Sequence, residues 1–266
     1  MIKNLLNRKK KQTHDITKVE ILSKSSPFAF SEAFKSLRTN LSFVTSANQV
    51  KRIALTSAIP GEGKSSVAIN LSITLAENGE KVLLMDCDLR KPSIHKYMGF
   101  HKMNRQGVSN VLSGTVDPVD VIYRHKTHQF DVMFSGPIPP NPAELLGGKY
   151  MDQLFDSLKD RYDYIICDIP PVSVVTDAAV ISLKCDGVLM IIKQNYATFE
   201  EVKAAKTNLE TVKAKILGTV LNQYDLLSEA KDGSRHYYYD HYSYGYGEAP
   251  EEEPDSDDID EVAEVL

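Results

Sequence analysis

The feature that most constrains the fold is a short loop between an apolar run and a helical pattern. Residues 52–56 form the apolar run, and residues 64–77 carry apolar side chains at the period of a helix. Between them, residues 58–65 read Ala-Ile-Pro-Gly-Glu-Gly-Lys-Ser, which matches the phosphate-loop pattern G-x-x-x-x-G-K-[ST] except at Ala58. A strand, loop and helix in this order surround a phosphate with backbone N–H groups and the positive end of the helix. The loop therefore predicts a nucleotide-binding protein.

Apolar runs and helical patterns continue to alternate after this loop. Strands are expected at residues 82–86, 130–135, 164–168, 188–193 and 217–222. Helices are expected at residues 64–77, 142–160, 177–184 and 198–214, with a further helix before the loop that begins at Ser31 as its N-cap. Alternation of this kind indicates a parallel sheet between two layers of helices. The predicted fold class is α/β, a P-loop NTPase fold with a mostly parallel sheet and helices on both faces.

The charge distribution divides the chain into three parts. Six of the first 18 residues are lysine or arginine, and the sequence from residue 248 to residue 264 is strongly acidic. We therefore expect a flexible basic arm at 1–26, one domain at 27–225, and a disordered tail at 226–266. The net charge of −5 argues against a nucleic-acid partner. No apolar stretch approaches the roughly 20 residues of a membrane helix, so we expect a cytoplasmic protein.

Aspartates end two of the predicted strands. Asp86 and Asp88 follow the run at 82–86, and Asp168 ends the run at 164–168. Ligands of open α/β sheets bind at the carboxyl ends of the strands, so these side chains are expected beside the phosphate loop. Isolated aspartates at strand ends are more often turn formers, but three of them at one edge can hold Mg²⁺. The predicted metal ligands are Ser65, Asp86, Asp88 and Asp168.

The predicted cofactors are therefore ATP and Mg²⁺. Lys64 is expected to reach the β- and γ-phosphates, and the Ser65 hydroxyl is expected to bind the metal ion. The candidate cofactor-binding residues of the loop are Pro60, Gly61, Glu62, Gly63, Lys64, Ser65 and Ser66.

The tail carries an unusual cluster of tyrosines. Six of the thirteen tyrosines fall within ten residues: Tyr237, Tyr238, Tyr239, Tyr242, Tyr244 and Tyr246. The residues between them are polar or glycine, so this stretch cannot build a core. An inert aromatic tail is one interpretation. The other is a segment that offers phenolic hydroxyls to a kinase.

Three motifs resemble those of the bacterial tyrosine kinases of capsule and exopolysaccharide systems. They are Ser57-Ala-Ile-Pro-Gly-Glu-Gly-Lys-Ser-Ser66, Asp86-Cys-Asp-Leu-Arg-Lys-Pro92 and Cys167-Asp-Ile-Pro-Pro171, which look like the Walker A, A′ and B motifs of that family. The resemblance covers about residues 28–246. It implies a catalytic set of Lys64, Asp86, Asp88 and Arg90, with Asp86 as the base, and phosphorylation of the tail tyrosines. Asn222 resembles an adenine-contacting position of the wider group.

The resemblance also implies partners. Glu32, Lys35 and Arg38 resemble an oligomerisation motif Glu-x-x-Arg-x-x-Arg with a lysine in place of the first arginine, which implies a homo-oligomeric ring. The form of the family without its own membrane span works with a membrane-embedded activator of the polysaccharide co-polymerase type, at the inner face of the membrane. A cognate tyrosine phosphatase is also implied. The alternative is an assembly-switch ATPase of the ParA/MinD type, although Ile59 stands where that group usually has a second lysine.

Overall fold

One mixed β-sheet forms the centre of the fold. The computed structural model describes residues 20–100, 106–224 and 263–264. Its strands, in chain order, are β1 (Arg52–Ser57), β2 (Val82–Asp86), β3 (Tyr123–Arg124), β4 (Asp131–Met133), β5 (Tyr164–Asp168), β6 (Gly187–Lys193), β7 (Ile216–Asn222) and β8 (Ala263–Glu264).

Helices connect most of these strands. They are α1 (Phe28–Asn48), α2 (Lys64–Glu77), α3 (Ile94–Tyr97), α4 (Val108–Leu112), α5 (Pro142–Gly147), α6 (Lys149–Leu158), α7 (Asp177–Ser182) and α8 (Phe199–Thr211), with a 3₁₀ turn at Pro118–Val121.

The strand order is β7-β6-β1-β5-β2-β4-β3-β8. Strands β7 to β4 in this order are all parallel, whereas β3 is antiparallel to both β4 and β8. Because β1, β5 and β2 are neighbours, the three chain segments that follow them leave the same edge of the sheet side by side. The mostly parallel sheet is confirmed, and its topology brings together the three predicted motifs.

Apolar side chains fill a layer on each face of the sheet. Leu84 on β2 faces one layer, where it is buried with Leu71 of α2. Met85, the next residue, faces the other layer, where it is buried with Leu154 of α6 and Leu209 of α8. Successive side chains of a strand point to opposite faces, so a continuous apolar run requires cover on both sides. The predicted helices on both faces are confirmed.

The helices expected at 177–184 and 198–214 are shorter in the structure, at Asp177–Ser182 and Phe199–Thr211, and two other predicted helices differ more. Ser31 does not cap the first helix, because α1 already begins at Phe28 after Pro27, whose backbone precedes the first turn. Proline's fixed φ suits the start of a helix, and the signal of Pro27 outweighs that of Ser31 four positions later. The helix expected at 142–160 is divided at Gly148, whose extended backbone separates α5 from α6. Glycine adopts many backbone conformations and is unfavourable in a helix interior, so a helix is easily interrupted there.

Both predicted tails lie largely outside the described residues. The described end of the basic arm is attached to the domain, because the Asn70 amide accepts a bond from the Leu22 N–H at 2.8 Å and donates to the Glu20 carbonyl at 3.0 Å. The described residues before residue 27 therefore contact the domain, and the domain boundaries at 27 and 225 stay predictions. Residues 263–264 form β8, which the sequence did not predict. The six tail tyrosines are outside the part of the chain that the structure describes.

Candidate functional site

The phosphate loop joins β1 to α2 through two glycines in left-handed conformations. Gly61 has φ of +91° and Gly63 has φ of +85°. A β-carbon on Gly61 would lie 2.5 Å from the Tyr196 hydroxyl, and one on Gly63 would lie 2.2 Å from the Asn222 amide nitrogen. Only glycine satisfies both the backbone and the space at these positions. Helix α2 begins at Lys64, immediately after the loop, so its free N–H groups point towards the space that the loop surrounds.

Two of the predicted nucleotide-binding residues brace this loop from within. Glu62 is fully buried, and its carboxylate accepts bonds from the Ile59 N–H at 2.9 Å and the Lys193 N–H at 3.2 Å. The Asn222 amide donates to the Glu62 carbonyl at 2.8 Å. The loop is therefore tied to the ends of β6 and β7. The sequence predicts Glu62 as a cofactor-binding residue. Its side chain faces the protein, so a contact with phosphate at this position would come from the backbone, and that contact stays a prediction.

The other predicted loop residues have distinct positions. Pro60 and Gly61 are exposed at the tip of the loop, and the Ser66 hydroxyl donates to the Gly63 carbonyl at 2.8 Å. The Ser66 side chain thus stabilises the turn into α2.

The predicted acidic residues meet beside Lys64. Asp86 and Asp168 are register partners at the ends of β2 and β5. The Lys64 ammonium lies 3.0 Å from Asp88 Oδ2 and 3.3 Å from Asp168 Oδ1. The Ser65 hydroxyl donates to the other Asp168 oxygen. The structure therefore brings together Lys64, Ser65, Asp86, Asp88 and Asp168, as the sequence predicted.

Burial and neighbouring charges shift the pKa values of this cluster. Burial and the nearby charge of Asp168 raise the pKa of Asp86 well above its usual value. Burial likewise raises the pKa of Asp168, against the opposing effects of Lys64 and Ser65. Burial alone would lower the pKa of Lys64, but the carboxylates of Asp168 and Asp88 outweigh it and raise that pKa. Lys64 is thus the cation that allows these carboxylates to share one buried site.

Two residues that the sequence does not predict contact the predicted site residues. The Ser93 hydroxyl donates to the Ser65 hydroxyl at 2.8 Å. Asp177, which is fully buried at the start of α7, accepts two bonds from Arg90, at 2.7 Å from Nε and 3.0 Å from a terminal nitrogen. Arg90 was predicted as catalytic, and in the structure its guanidinium is held by Asp177. No local sequence signal links residues 87 positions apart.

The residues present fit ATP and Mg²⁺. The loop has the glycine conformations and helix start that a phosphate group requires, and the donors around Ser65 are hydroxyl and carboxylate oxygens, which Mg²⁺ prefers. Across the described residues no three His, Cys, Asp or Glu side chains are grouped at metal-binding distances. The Lys64 ammonium lies between the Asp88 and Asp168 carboxylates, at 3.0 Å and 3.3 Å.

The predicted oligomerisation residues have partners within the chain. Lys35 lies 2.7 Å from the Glu32 carboxylate, one turn away on α1. Arg38 donates to the Thr74 carbonyl of α2 at 3.0 Å. Glu32 and Lys35 thus remain on the helix surface, whereas Arg38 also joins α1 to α2.

Comparison with known families defines the class of protein. The family model described as "ParA: NUBPL iron-transfer P-loop NTPase" matches residues 48–250. Together with the loop and the parallel sheet, this match makes the chain a P-loop NTPase, and this fold implies nucleotide binding with a divalent metal ion.

Comparison with individual proteins narrows the class to one family. The chain is 39% identical to the tyrosine-protein kinase YwqD of Bacillus subtilis over 203 residues, which cover 76% of this chain and 85% of YwqD. It is similar to the chimerical protein CapA2B2, with a TM-score of 0.69 and 37% identity over 75% of this chain and 86% of that one. It is also similar to the kinase domain of the Escherichia coli tyrosine kinase ETK, with a TM-score of 0.69 and 31% identity over 77% and 85% of the two chains. The chain belongs to the bacterial tyrosine-protein kinases, and it is a protein-tyrosine kinase.

Proposed function

We propose that this kinase transfers the γ-phosphoryl group of ATP to the tyrosine cluster at residues 237–246 of a second copy of the chain, and thereby regulates the synthesis and export of a capsular or extracellular polysaccharide. The observation that carries the catalytic part is the position of Asp86. It is fully buried, at the end of β2, beside both Asp168 and the Lys64–Asp88 pair.

The chain's own residues perform the binding and the proton transfer. The N–H groups of the loop and of the first turn of α2 bind phosphate oxygens, and Lys64 moves from the carboxylates to the transferred phosphoryl group. A tyrosine hydroxyl has an unperturbed pKa near 10, so it needs a base at neutral pH. The Asp86 carboxylate accepts this proton from its position at the end of β2, beside the phosphate loop.

A divalent metal ion completes this site. Ser65 and Asp168 would hold Mg²⁺, with Asp86 and Asp88 near it, and the ion would neutralise charge on the phosphates of ATP. Ser93 positions the Ser65 hydroxyl for this role through its 2.8 Å hydrogen bond.

The test of the catalytic assignment is an Asp86→Asn protein incubated with Mg-ATP. Asparagine keeps the shape of the side chain and cannot take a proton, so we expect loss of phosphotyrosine by about 100-fold or more with little change in ATP affinity. Asp163→Asn, a change at an exposed aspartate before β5, is the control. Full autophosphorylation by the Asp86→Asn protein would exclude Asp86 as the base.

Phosphorylation of the tail is proposed to release it. Each phosphate adds about −1.5 to −2 charges. Several such groups beside the acidic stretch at 248–264 would repel one another and the carboxylates around Lys64. The phosphorylated tail therefore leaves the site, and a cognate tyrosine phosphatase would restore the substrate.

The proposed activator is a membrane protein with a short cytoplasmic segment. Within the described residues no helix is long and apolar enough to cross a bilayer. Basic residues near an anionic leaflet contribute up to about 1 kcal/mol each, so the arm at 3–11 fits a position beside the membrane. A fused or added cytoplasmic segment of the activator should raise the initial rate and tighten ATP binding. Equal rates and affinities without it would show a self-sufficient kinase.

A nucleotide-driven assembly switch is a second candidate function, exercised beside the kinase activity. It is favoured by the ParA-type family model and by the 25% identity and TM-score of 0.55 to the septum site-determining protein MinD of Pyrococcus horikoshii. Such a switch releases phosphate from ATP without modifying tyrosine. Incubation with Mg-ATP, followed by measurement of both free phosphate and phosphotyrosine, separates the two functions.

A further inference from the structure

A groove of about 570 Å³ lies outside the site described above. We name it the proline groove. Its lining residues are Ser109, Asn110, Leu112, Ser113, residues 137–141, Glu144, Leu145, Gly148 and Tyr150. Ile138 is 57% exposed and Tyr150 is 43% exposed, although both are large apolar or aromatic side chains. Exposed apolar side chains around a concave surface are typical of a binding site.

The walls of the proline groove are held in place without a ligand. The Ser109 hydroxyl donates to the Pro137 carbonyl at 2.7 Å, and the Ser109 N–H donates to the Ser135 carbonyl at 2.9 Å. The Asn141 amide donates to Glu144 at 2.8 Å. Prolines in the 137–141 wall restrict its backbone further. A rigid groove loses little conformational freedom when a segment binds.

The proline groove adjoins the catalytic edge of the sheet. Its 137–141 wall follows β4, which is parallel to β2, so it leaves the same edge as Asp86. Helix α5, which follows this wall, packs against α7. The packing is close, because a β-carbon on Gly147 of α5 would lie 2.9 Å from Val180 of α7. Helix α7 also carries Asp177, the partner of Arg90. The groove is therefore joined to the loop that carries Asp88.

The tyrosine cluster can reach this edge. In the second copy, Tyr237 lies 13 residues beyond Tyr224, a stretch that spans up to about 43 Å when extended, so the cluster can extend well beyond the domain that carries it. The cluster carries six tyrosines in ten residues, so a segment with one phenol at the phosphates has others within a few residues.

We propose that the proline groove binds the tyrosine side chains that flank the acceptor tyrosine in residues 237–246. This inference rests on the proposed function. It adds a physical reason why the kinase would select the tail as its substrate. Proline, isoleucine and tyrosine surfaces pack against phenol rings, and Ser113 and Asn141 offer hydrogen bonds to phenolic hydroxyls. The kinase thus selects tyrosine-rich segments over isolated tyrosines.

The charge of the proline groove favours the unphosphorylated segment. Among the described residues, those that line it include no lysine or arginine, and Glu144 is the one charged group. A phosphotyrosine in this groove would lose water and would face the Glu144 carboxylate, whereas Lys149, whose ammonium lies 5.4 Å from the centre of the Tyr150 ring, is not among the lining residues. The groove therefore binds substrate tyrosines and rejects product.

The test measures binding of a labelled peptide that copies residues 235–247. The protein is the full chain with its six tail tyrosines changed to serine, in Mg-ADP, so that no competing tail and no transfer interfere. We expect Ile138→Ser and Tyr150→Ser each to lower the affinity for the peptide by about tenfold, since each change removes an apolar contact that the bound peptide would bury. Leu183→Ser is the matched control, because Leu183 is 56% exposed and does not line the groove. A peptide phosphorylated on all six tyrosines should bind at least about tenfold more weakly.

The outcomes separate this inference from the proposed function. Phosphotyrosine on the unmodified chain in Mg-ATP tests the function by itself. If the tail is phosphorylated but the peptide binds equally to the Ile138→Ser, Tyr150→Ser and Leu183→Ser proteins, the groove proposal alone is wrong. Equal or tighter binding of the phosphorylated peptide also overturns it, because the occupant would then be a different ligand, such as a segment of the activator.

Discussion

The guanidinium of Arg90 forms a two-point hydrogen bond with the buried carboxylate of Asp177. Arg90 is 44% exposed on its side chain, whereas Asp177 is fully buried at the first turn of α7. The hydrogen bonds to Asp177 raise the pKa of Arg90 above its usual value. The pair links the loop after β2, which carries Asp88, to the segment after Asp168. We infer that Arg90 is a positioning residue.

Asp177→Asn tests this positioning role. The change keeps the side-chain size but removes the charge, so Arg90 loses its ionic partner. We expect kcat for autophosphorylation to fall by about tenfold, while KM for ATP stays within about threefold, because the phosphate loop is untouched. A merely structural role would lower stability and leave kcat unchanged.

Arg90→Lys refines the same test. Lysine keeps the charge but lacks the planar fork, so an intermediate loss of kcat is expected. Arg124→Lys is the control, since Arg124 is 42% exposed and pairs with Asp131 through one nitrogen at 2.9 Å, far along the sheet from Asp168. Equal effects of the two changes on kcat would contradict a specific role for Arg90.

Lys64→Met should abolish phosphotyrosine while the protein remains folded. Lys64 is the cation that lies against Asp88 and Asp168, and methionine keeps its length without its charge. Loss of at least about 100-fold in rate is expected. Circular dichroism checks the fold, and Lys81→Met, at an exposed lysine, is the control. A folded Lys64→Met protein with full activity would be incompatible with the kinase site.

Replacement of all six tail tyrosines by phenylalanine should remove most autophosphorylation. ATP affinity should stay nearly unchanged, because the cluster lies beyond the residues that form the phosphate site. Mass spectrometry and nucleotide titration measure the two quantities. Phosphate found mainly on Tyr97, Tyr123 or Tyr162 in the unmodified protein would show that the tail is not the main substrate.

The double change Glu32→Ala with Arg38→Ala should lower the assembled mass of the unphosphorylated protein. Both residues belong to the motif on α1 that we propose as the ring interface. Arg38 also bonds Thr74, so the melting temperature must be measured beside light scattering. Asn40→Ala, an exposed position on the same helix, is the control. An unchanged mass would leave the Glu32–Lys35 pair as a surface ion pair only.

Asp186→Asn should reduce stability in a pH-dependent way. Burial would raise the pKa of Asp186, but bonds from the Arg52 side chain and from the N–H groups of Arg52 and Lys51 outweigh it and lower that pKa. A carboxyl group with a lowered pKa stabilises the fold above its unfolded pKa, and this contribution disappears as pH falls through the folded value.

The expected loss is therefore about 1 kcal/mol in the free energy of unfolding at pH 7, after allowance for solvent screening of this half-exposed pair. The difference between the two proteins should shrink below about pH 4. Urea unfolding at several pH values measures it, and Asp156→Asn, on the exposed i,i+3 pair with Lys159, is the control. A difference that grows on acidification would refute the role of this charge.

Much of the candidate site could be predicted from local patterns. The bounds expected for the strands at 82–86 and 164–168 and for the helix at 64–77 are those of β2, β5 and α2. Short apolar runs, a glycine stop and the phosphate-loop pattern each act within a few residues, so they can be read along the chain. The meeting of Lys64 with Asp86, Asp88 and Asp168 then follows from the parallel order of the strands.

The sequence by itself therefore determined the phosphate loop, the parallel α/β fold, the carboxylates around Lys64 and the membership of the kinase family. Only the tertiary structure decided that Asp177 holds Arg90, that Ser93 holds Ser65, that Glu62 faces inwards, and that a rigid groove lies beside the loop after β4. The local sequence around each of these residues does not indicate which partner it contacts. They form because packing the helices on the sheet leaves a buried donor or acceptor at one place, and the nearest polar side chain, however distant along the chain, must satisfy it.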